Sequence, residues 1–341
     1  MPTPEPLPIR ELRDVSPAQF RDEILPAQQP AVLRGAVAHW PAVSAGRESP
    51  QAIANYLRAL DNGTPTDTMI GAPAIGGRFF YNDDLTGHNF QRRPQRIVDS
   101  LERLLALLDH PAPEALYVGA VPTPLNFPAF TRDNALALLD PAIVPRVWMS
   151  NRVTVQTHYD LSNNIACVVA GRRRFTLFPP EQVANLYVGP LEFTLAGQPI
   201  SMVRLEQPDF ERFPRFREAL AAMQVADLEP GDALFVPYMW WHHVESRSSF
   251  NVLVNYWWDD TPQWQGSPFE ALLHAIMAVK SLPPGKREIW HKVFEHYVFQ
   301  ENGDPVEHLT ARQRGIQGPP SPQLADLIRR QLIHVLSNRR R

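Results

Sequence analysis

"YMWWHHVESRSSFNVLVNYWWDD", residues 238–260, sets two adjacent histidines between two tryptophan pairs. Its β-branched and aromatic content reads as a strand, a tight turn and a second strand. Consecutive strand residues point to opposite faces, so at most one of His242 and His243 can look into a given cavity. Which of them does so depends on what else in the chain points into the same space.

The segments upstream have the same character. "RVTVQTHYD", "NIACVVAG", "RRRFTLFPP", "PISMVRL" and "ALFVPYMWWHHVES" are short, rich in β-branched and aromatic residues, and separated by Gly, Pro and Asp turns. Many short strands without alternating helices predict a sandwich or barrel rather than a parallel sheet. Towards the start, "SPAQFRDEIL" carries a capping box (Ser16, Pro17, Gln19), "PAVLRGAV" reads as a buried strand and "RIVDSLERLLALL" has helical periodicity. After residue 260 three amphipathic helices are predicted, in "SPFEALLHAIMAVKSL", "KREIWHKVFEHYVFQ" and "SPQLADLIRRQLIHVL". The second carries an apolar stripe of Ile289, Trp290, Val293, Phe294 and Tyr297, which has to be covered by the core or by a second subunit.

Composition narrows the class. The chain has 341 residues with 44% hydrophobic content, enough for a substantial core. A net charge of −3 argues against wholesale nucleic-acid binding, and the closing "NRRR" reads as a solvated end. The single cysteine, Cys167, permits no internal disulfide and sits in an apolar run, so a buried inert thiol in a reducing, cytoplasmic setting is expected. No stretch approaches a membrane span or the pattern of a signal peptide.

Within "VQTHYDLS", His158 and Asp160 lie two residues apart, which puts an imidazole and a carboxylate on one face of a strand. A second imidazole from a neighbouring strand would complete a 2-His-1-carboxylate triad, which leaves three positions open on Fe(II). An H-x-D pair alone is unspecific. Its weight comes from the histidine pair that follows on another strand, introduced by the Gly-Asp turn of "EPGDALFVP".

"THYD…GRRRFTLFPP…PGDALFVPYMWWHHVES…VNYWW" resembles the JmjC/cupin-like Fe(II)- and 2-oxoglutarate-dependent oxygenases, over roughly residues 30–260. Within them the similarity is greatest to the asparaginyl hydroxylase that acts on hypoxia-inducible factor. The resemblance makes His242 the metal ligand and turns His243 to the opposite side. It implies that Arg173, fifteen places after His158, binds the far carboxylate of 2-oxoglutarate, with Tyr117 beside it. Asn164 and Asn255 would lie near the cosubstrate, and Trp257 beside the metal. Two departures stand out. Val155 replaces a threonine that contacts 2-oxoglutarate, leaving Thr154 or Thr157 to substitute, and Gly119 replaces a substrate-contacting glutamine.

The expected architecture is a double-stranded β-helix (jelly-roll) core over residues 113–260. An N-terminal α/β extension, 1–112, packs on it, and a C-terminal helical dimerisation region, 261–341, follows. The expected activity is hydroxylation of a C–H bond of a protein, peptide or small-molecule substrate. It would use Fe(II), 2-oxoglutarate and O2, with no membrane partner and with nucleic acid disfavoured as a partner. Competing readings are a non-catalytic ligand-binding cupin, an interaction scaffold, and an N-methyl demethylase of the same family.

Overall fold

The computed structural model describes residues 4–338, so the terminal arginines 339–341 lie outside the described residues. The chain forms two compact units, one ending at Asp259 and one beginning at Asp260.

The strands of the first unit run in chain order as β1 Arg10–Arg13, β2 Ala31–Arg34, β3 Thr66–Gly71, β4 Phe90–Gln95, β5 Ala115–Pro122 and β6 Pro145–Ser150. They continue as β7 Thr154–His158, β8 Asn163–Ala170, β9 Arg173–Phe178, β10 Gln224–Leu228, β11 Ala233–Val236, β12 Trp241–Ser246 and β13 Asn251–Trp258. One sheet has nine strands in the order β1-β2-β11-β8-β13-β6-β5-β3-β4, and the other has four, β10-β9-β12-β7. This is the jelly-roll architecture expected from the short, punctuated strands.

Alternation along the central strands explains their unbroken apolar sequence. On β8 and β13, Ile165, Cys167, Val169, Val252 and Val254 pack outward with residues of helices Pro50–Leu60 and Ile97–Ala106, such as Ile53 and Leu101. Ala166, Val168 and Leu253 point inward, meeting Phe175, Leu177 and Val244 of the smaller sheet. Both faces are buried, so the middles of the two strands read as nearly continuous apolar runs. Gly46, on the helix Pro41–Glu48, comes so close to β8 that a Cβ there would sit 2.1 Å from the Val169 carbonyl oxygen.

Three expectations change in detail. "PISMVRL" does not form a strand; it makes only isolated bridges, Ile200 with His158 and Ser201 with Val188. Strand β7 stops at His158, so Asp160 lies just past its end. The helix opened by Ser16, whose Oγ accepts from Gln19 N at 3.1 Å, widens into a π-turn over Phe20–Ile24.

The second unit holds helices Pro268–Val279, Pro284–Tyr297 and Pro322–Asn338. None of them buries a residue fully, and Ile289, Trp290 and Tyr297 are 63%, 46% and 52% exposed.

Candidate active site

Antiparallel pairing of β7 and β12 sets His158 opposite His242. The ladder is irregular between His242 and Val244, whose partners are His158 and Val155. Two residues of β7, Gln156 and Thr157, thus oppose the single His243 of β12, and this bulge lets both Val155 and His158 face the interior. The two imidazole rings lie 4.2 Å apart between centroids, and His242 Nε2 is 3.5 Å from Asp160 Oδ2. One ligand atom from each of His158, Asp160 and His242 falls within 4.8 Å of the others. The cluster brings together the two residues expected on one strand face, but Asp160 reaches it from the turn past the end of β7 and not from the strand.

The tautomers are set by the backbone. His158 Nδ1 sits 2.8 Å from the Gln156 carbonyl oxygen and His242 Nδ1 3.0 Å from that of Trp240, so each donates its Nδ1 proton and keeps an Nε2 lone pair. Burial, and next the neighbouring His242, push the His158 pKa down to about 4, which keeps it neutral near pH 7. Trp257 donates from Nε1 to Asp160 Oδ2 at 3.0 Å. Two imidazole Nε2 atoms and a carboxylate suit a divalent first-row metal such as Fe(II), with coordination positions to spare.

His243 is on the other face. It is fully buried, with Nδ1 3.2 Å from Thr157 Oγ1 and Nε2 3.3 Å from Glu206 Oε1, off the hydrogen-bonding direction. Burial alone would raise the Glu206 pKa, but the His243 contact holds it near 2. Thr157 is thus turned away from the interior, and neither it nor Thr154 lines the cavity, whereas Val155 does.

A cavity of about 530 Å³ runs from this cluster into the jelly roll. Arg173 lines it, 2% exposed, with Nε and Nη2 lacking any hydrogen-bond partner. Burial lowers its pKa to about 10, so it remains a cation. It pairs with Ser246 on β12, four residues from His242, or roughly 13 Å of strand. Tyr117, its pKa raised by burial, keeps its proton beside Arg173. A buried, unpartnered guanidinium next to a phenol is costly unless an anion completes it. The far carboxylate of a dicarboxylate fits that requirement.

Asn255 is buried and satisfied on both sides of its amide. Its Oδ1 accepts from Trp148 Nε1 at 2.7 Å, and its Nδ2 donates to Asn164 Oδ1 at 3.1 Å. Trp148 was not singled out in the sequence, although the alternation in "PRVWMS" places it on one face with Arg146. It accounts for Gly119, where a Cβ would lie 3.0 Å from the Trp148 ring. Gln156 was also missed. Its amide donates to the Ser201 and Val203 carbonyls and accepts from Arg78 Nε, which pins the loop bearing Ile200 over the site.

Two imidazoles and a carboxylate gathered on the cavity of a jelly roll form a ligand set that could hold a metal ion in the manner of a cupin. The profile described as the cupin-like domain matches residues 17–264, and the chain belongs to that family, in its JmjC-type form. It is similar to tRNA wybutosine-synthesizing protein 5 of Mus musculus, 26% identical over 273 residues, 75% of this chain and 79% of that protein. It also resembles lysine-specific demethylase JMJ31 of Arabidopsis thaliana, 38% identical over 112 residues, 33% of this chain but only 20% of that protein. HSPB1-associated protein 1 of Bos taurus is 40% identical over 94 residues, 28% of this chain and 19% of that protein.

Proposed function

We propose that the protein is an Fe(II)- and 2-oxoglutarate-dependent oxygenase that hydroxylates a C–H bond, with a protein or peptide side chain as substrate. The observation that carries this reading is one cavity with two kinds of wall group. His158, Asp160 and His242 converge on it, and an unpartnered Arg173 cation lines it deeper in the barrel. When bound, iron and 2-oxoglutarate supply O2 activation coupled to decarboxylation of the cosubstrate to succinate and CO2.

In this reading His158 Nε2, Asp160 and His242 Nε2 hold the metal. Arg173 receives the far carboxylate bidentately, and the Tyr117 hydroxyl donates to it. Asn164, tied to Asn255, borders the cosubstrate. Phe175, Val244 and Leu253 keep bulk water from the chamber. Val155 adds no hydroxyl, so Arg173 and Tyr117 carry the cosubstrate's polar recognition. The comparisons do not show the expected closeness to the asparaginyl hydroxylase of hypoxia-inducible factor, so hydroxylation as the outcome rests on the resemblance of the sequence motifs alone. The match to JMJ31 keeps removal of an N-methyl group within the same chemistry. The length of the match to the wybutosine-synthesizing protein favours a second reading, in which a tRNA nucleoside is the substrate. We further place the protein in the cytoplasm, on the strength of its single buried cysteine.

The test is succinate release by the iron-loaded full chain, with and without a peptide pool and a tRNA pool. Release stimulated by peptides supports the first reading, and release stimulated by tRNA alone supports the second. Iron binding with no 2-oxoglutarate turnover under any condition would make the protein a ligand-binding cupin.

A further inference from the structure

Arg146 emerges on the face of the nine-stranded sheet that carries the cavity-lining Trp148 and Asn255, and it has no acidic partner among the described residues. It pairs in register with Asn255, and directly opposed residues of an antiparallel pair share a face. Its side chain therefore emerges on the side of Trp148 and Asn255. The guanidinium lies over Trp257, 5.3 Å from the ring centroid, and Trp257 in turn holds Asp160. The one hydrogen bond it makes among the described residues runs from Nη1 to the Val144 carbonyl oxygen at 3.3 Å. Burial lowers its pKa.

The charges that line the cavity have counterparts. Asp67 and Arg92 pair with each other at its wall. Under the oxygenase reading, on which this inference rests, a divalent metal and a dianionic cosubstrate balance Asp160 and Arg173. Arg146 is then a part-buried positive charge left over beside the reacting centre. A guanidinium stacked on an indole keeps its edge donors free, and that planar fork matches a carboxylate or a phosphate.

We propose that Arg146 is a specificity-determining residue that anchors an anionic group of the substrate, a carboxylate or a phosphate. Bound there, the group lies against Trp257, and the adjoining C–H is presented to the His158–Asp160–His242 cluster.

The experiment uses the full chain loaded with Mn(II) and N-oxalylglycine, an unreactive analogue of 2-oxoglutarate. The probes are phenyl phosphate, phenylacetate and the neutral benzyl alcohol. Paramagnetic relaxation of the probe protons reports residence near the metal. Enhancement at least tenfold greater for either anion than for benzyl alcohol is expected, and whichever anion is favoured identifies the group. Arg146→Gln should remove that preference and Arg146→Lys should keep part of it, each with a thermal melt to confirm folding. Equal enhancement of all three probes, or an anion preference that survives Arg146→Gln, overturns the proposal. Failure of the oxygenase reading would show separately, as absence of Mn(II) or analogue binding to the unmodified protein. Saturation-transfer measurements with the same probes, which need no metal, then decide the anion site by the same comparison.

Discussion

Trp257 donates its indole N–H to the Oδ2 atom of Asp160 at 3.0 Å, the same oxygen that lies 3.5 Å from His242 Nε2. The carboxylate that would complete a metal site is thus aimed by an aromatic residue on β13. Outer partners of this kind commonly change metal affinity by about 10–100-fold. Trp257→Phe keeps the ring and removes the donor. Fe(II) affinity, measured by anaerobic titration, should fall within that range while the melting temperature barely moves. Unchanged affinity would mean that Asp160 is held by the turn alone.

The adjacent histidines should separate cleanly. His242→Ala removes an Nε2 that faces His158 and Asp160, so metal binding and turnover should be lost with the fold intact. His158→Ala and Asp160→Ala should do the same. His243→Ala leaves the metal site standing but strips a fully buried ring from Thr157 and Glu206. A stability loss of about 1–3 kcal/mol is expected from the polar groups it leaves unpaired. Chemical denaturation and metal titration on the same variants check both halves. A His243→Ala protein that cannot bind metal would contradict the assigned faces.

Arg173→Ala should raise the 2-oxoglutarate requirement by about one to two orders of magnitude, from loss of a charge-assisted pair worth about 1.5–3 kcal/mol. Fe(II) affinity should stay near that of the unmodified protein. Arg173→Met tests the orphaned cation directly. An apolar side chain of similar length removes an uncompensated buried charge, so without cosubstrate this variant should melt no lower than the unmodified chain. An unaltered 2-oxoglutarate dependence in either variant would shift the anchor to Tyr117.

The helices after Asp260 keep large apolar side chains exposed, Ile289 at 63% and Ile333 at 58% among them. We propose that a second copy of the chain covers them, since an isologous contact buries each stripe twice. Replacing Ile289 and Val293 with glutamate should give a monomer or an aggregating chain by light scattering. A monodisperse monomer of the unmodified protein at micromolar concentration would rule out the dimer.

Much of this was legible because the chemistry is local. "THYD" and "MWWHHVES" carry the triad within a few residues, and β8 and β13 announce burial by unbroken apolar runs. What escaped depends on register and on distant chain. The bulge between β7 and β12 cannot be read from "RVTVQTHYD", yet it puts Val155 in the cavity and turns Thr157 towards His243. "PISMVRL" has strand propensity but no continuous partner, so it serves as a loop pinned by Gln156. Gly119 looked like a missing substrate contact. It marks where the Trp148 ring sits, and that contact depends on pairing between β5 and β6.

The central claim, that one cavity couples the His158–Asp160–His242 cluster to a dicarboxylate held by Arg173, is tested most directly by a single-turnover measurement. The full chain is loaded anaerobically with Fe(II) and 2-oxoglutarate, and succinate is counted after O2 is admitted. Succinate should form only when iron, 2-oxoglutarate and O2 are all present, and should vanish in Asp160→Ala. Tight Fe(II) binding by the unmodified protein with no succinate above the Asp160→Ala background would contradict the account.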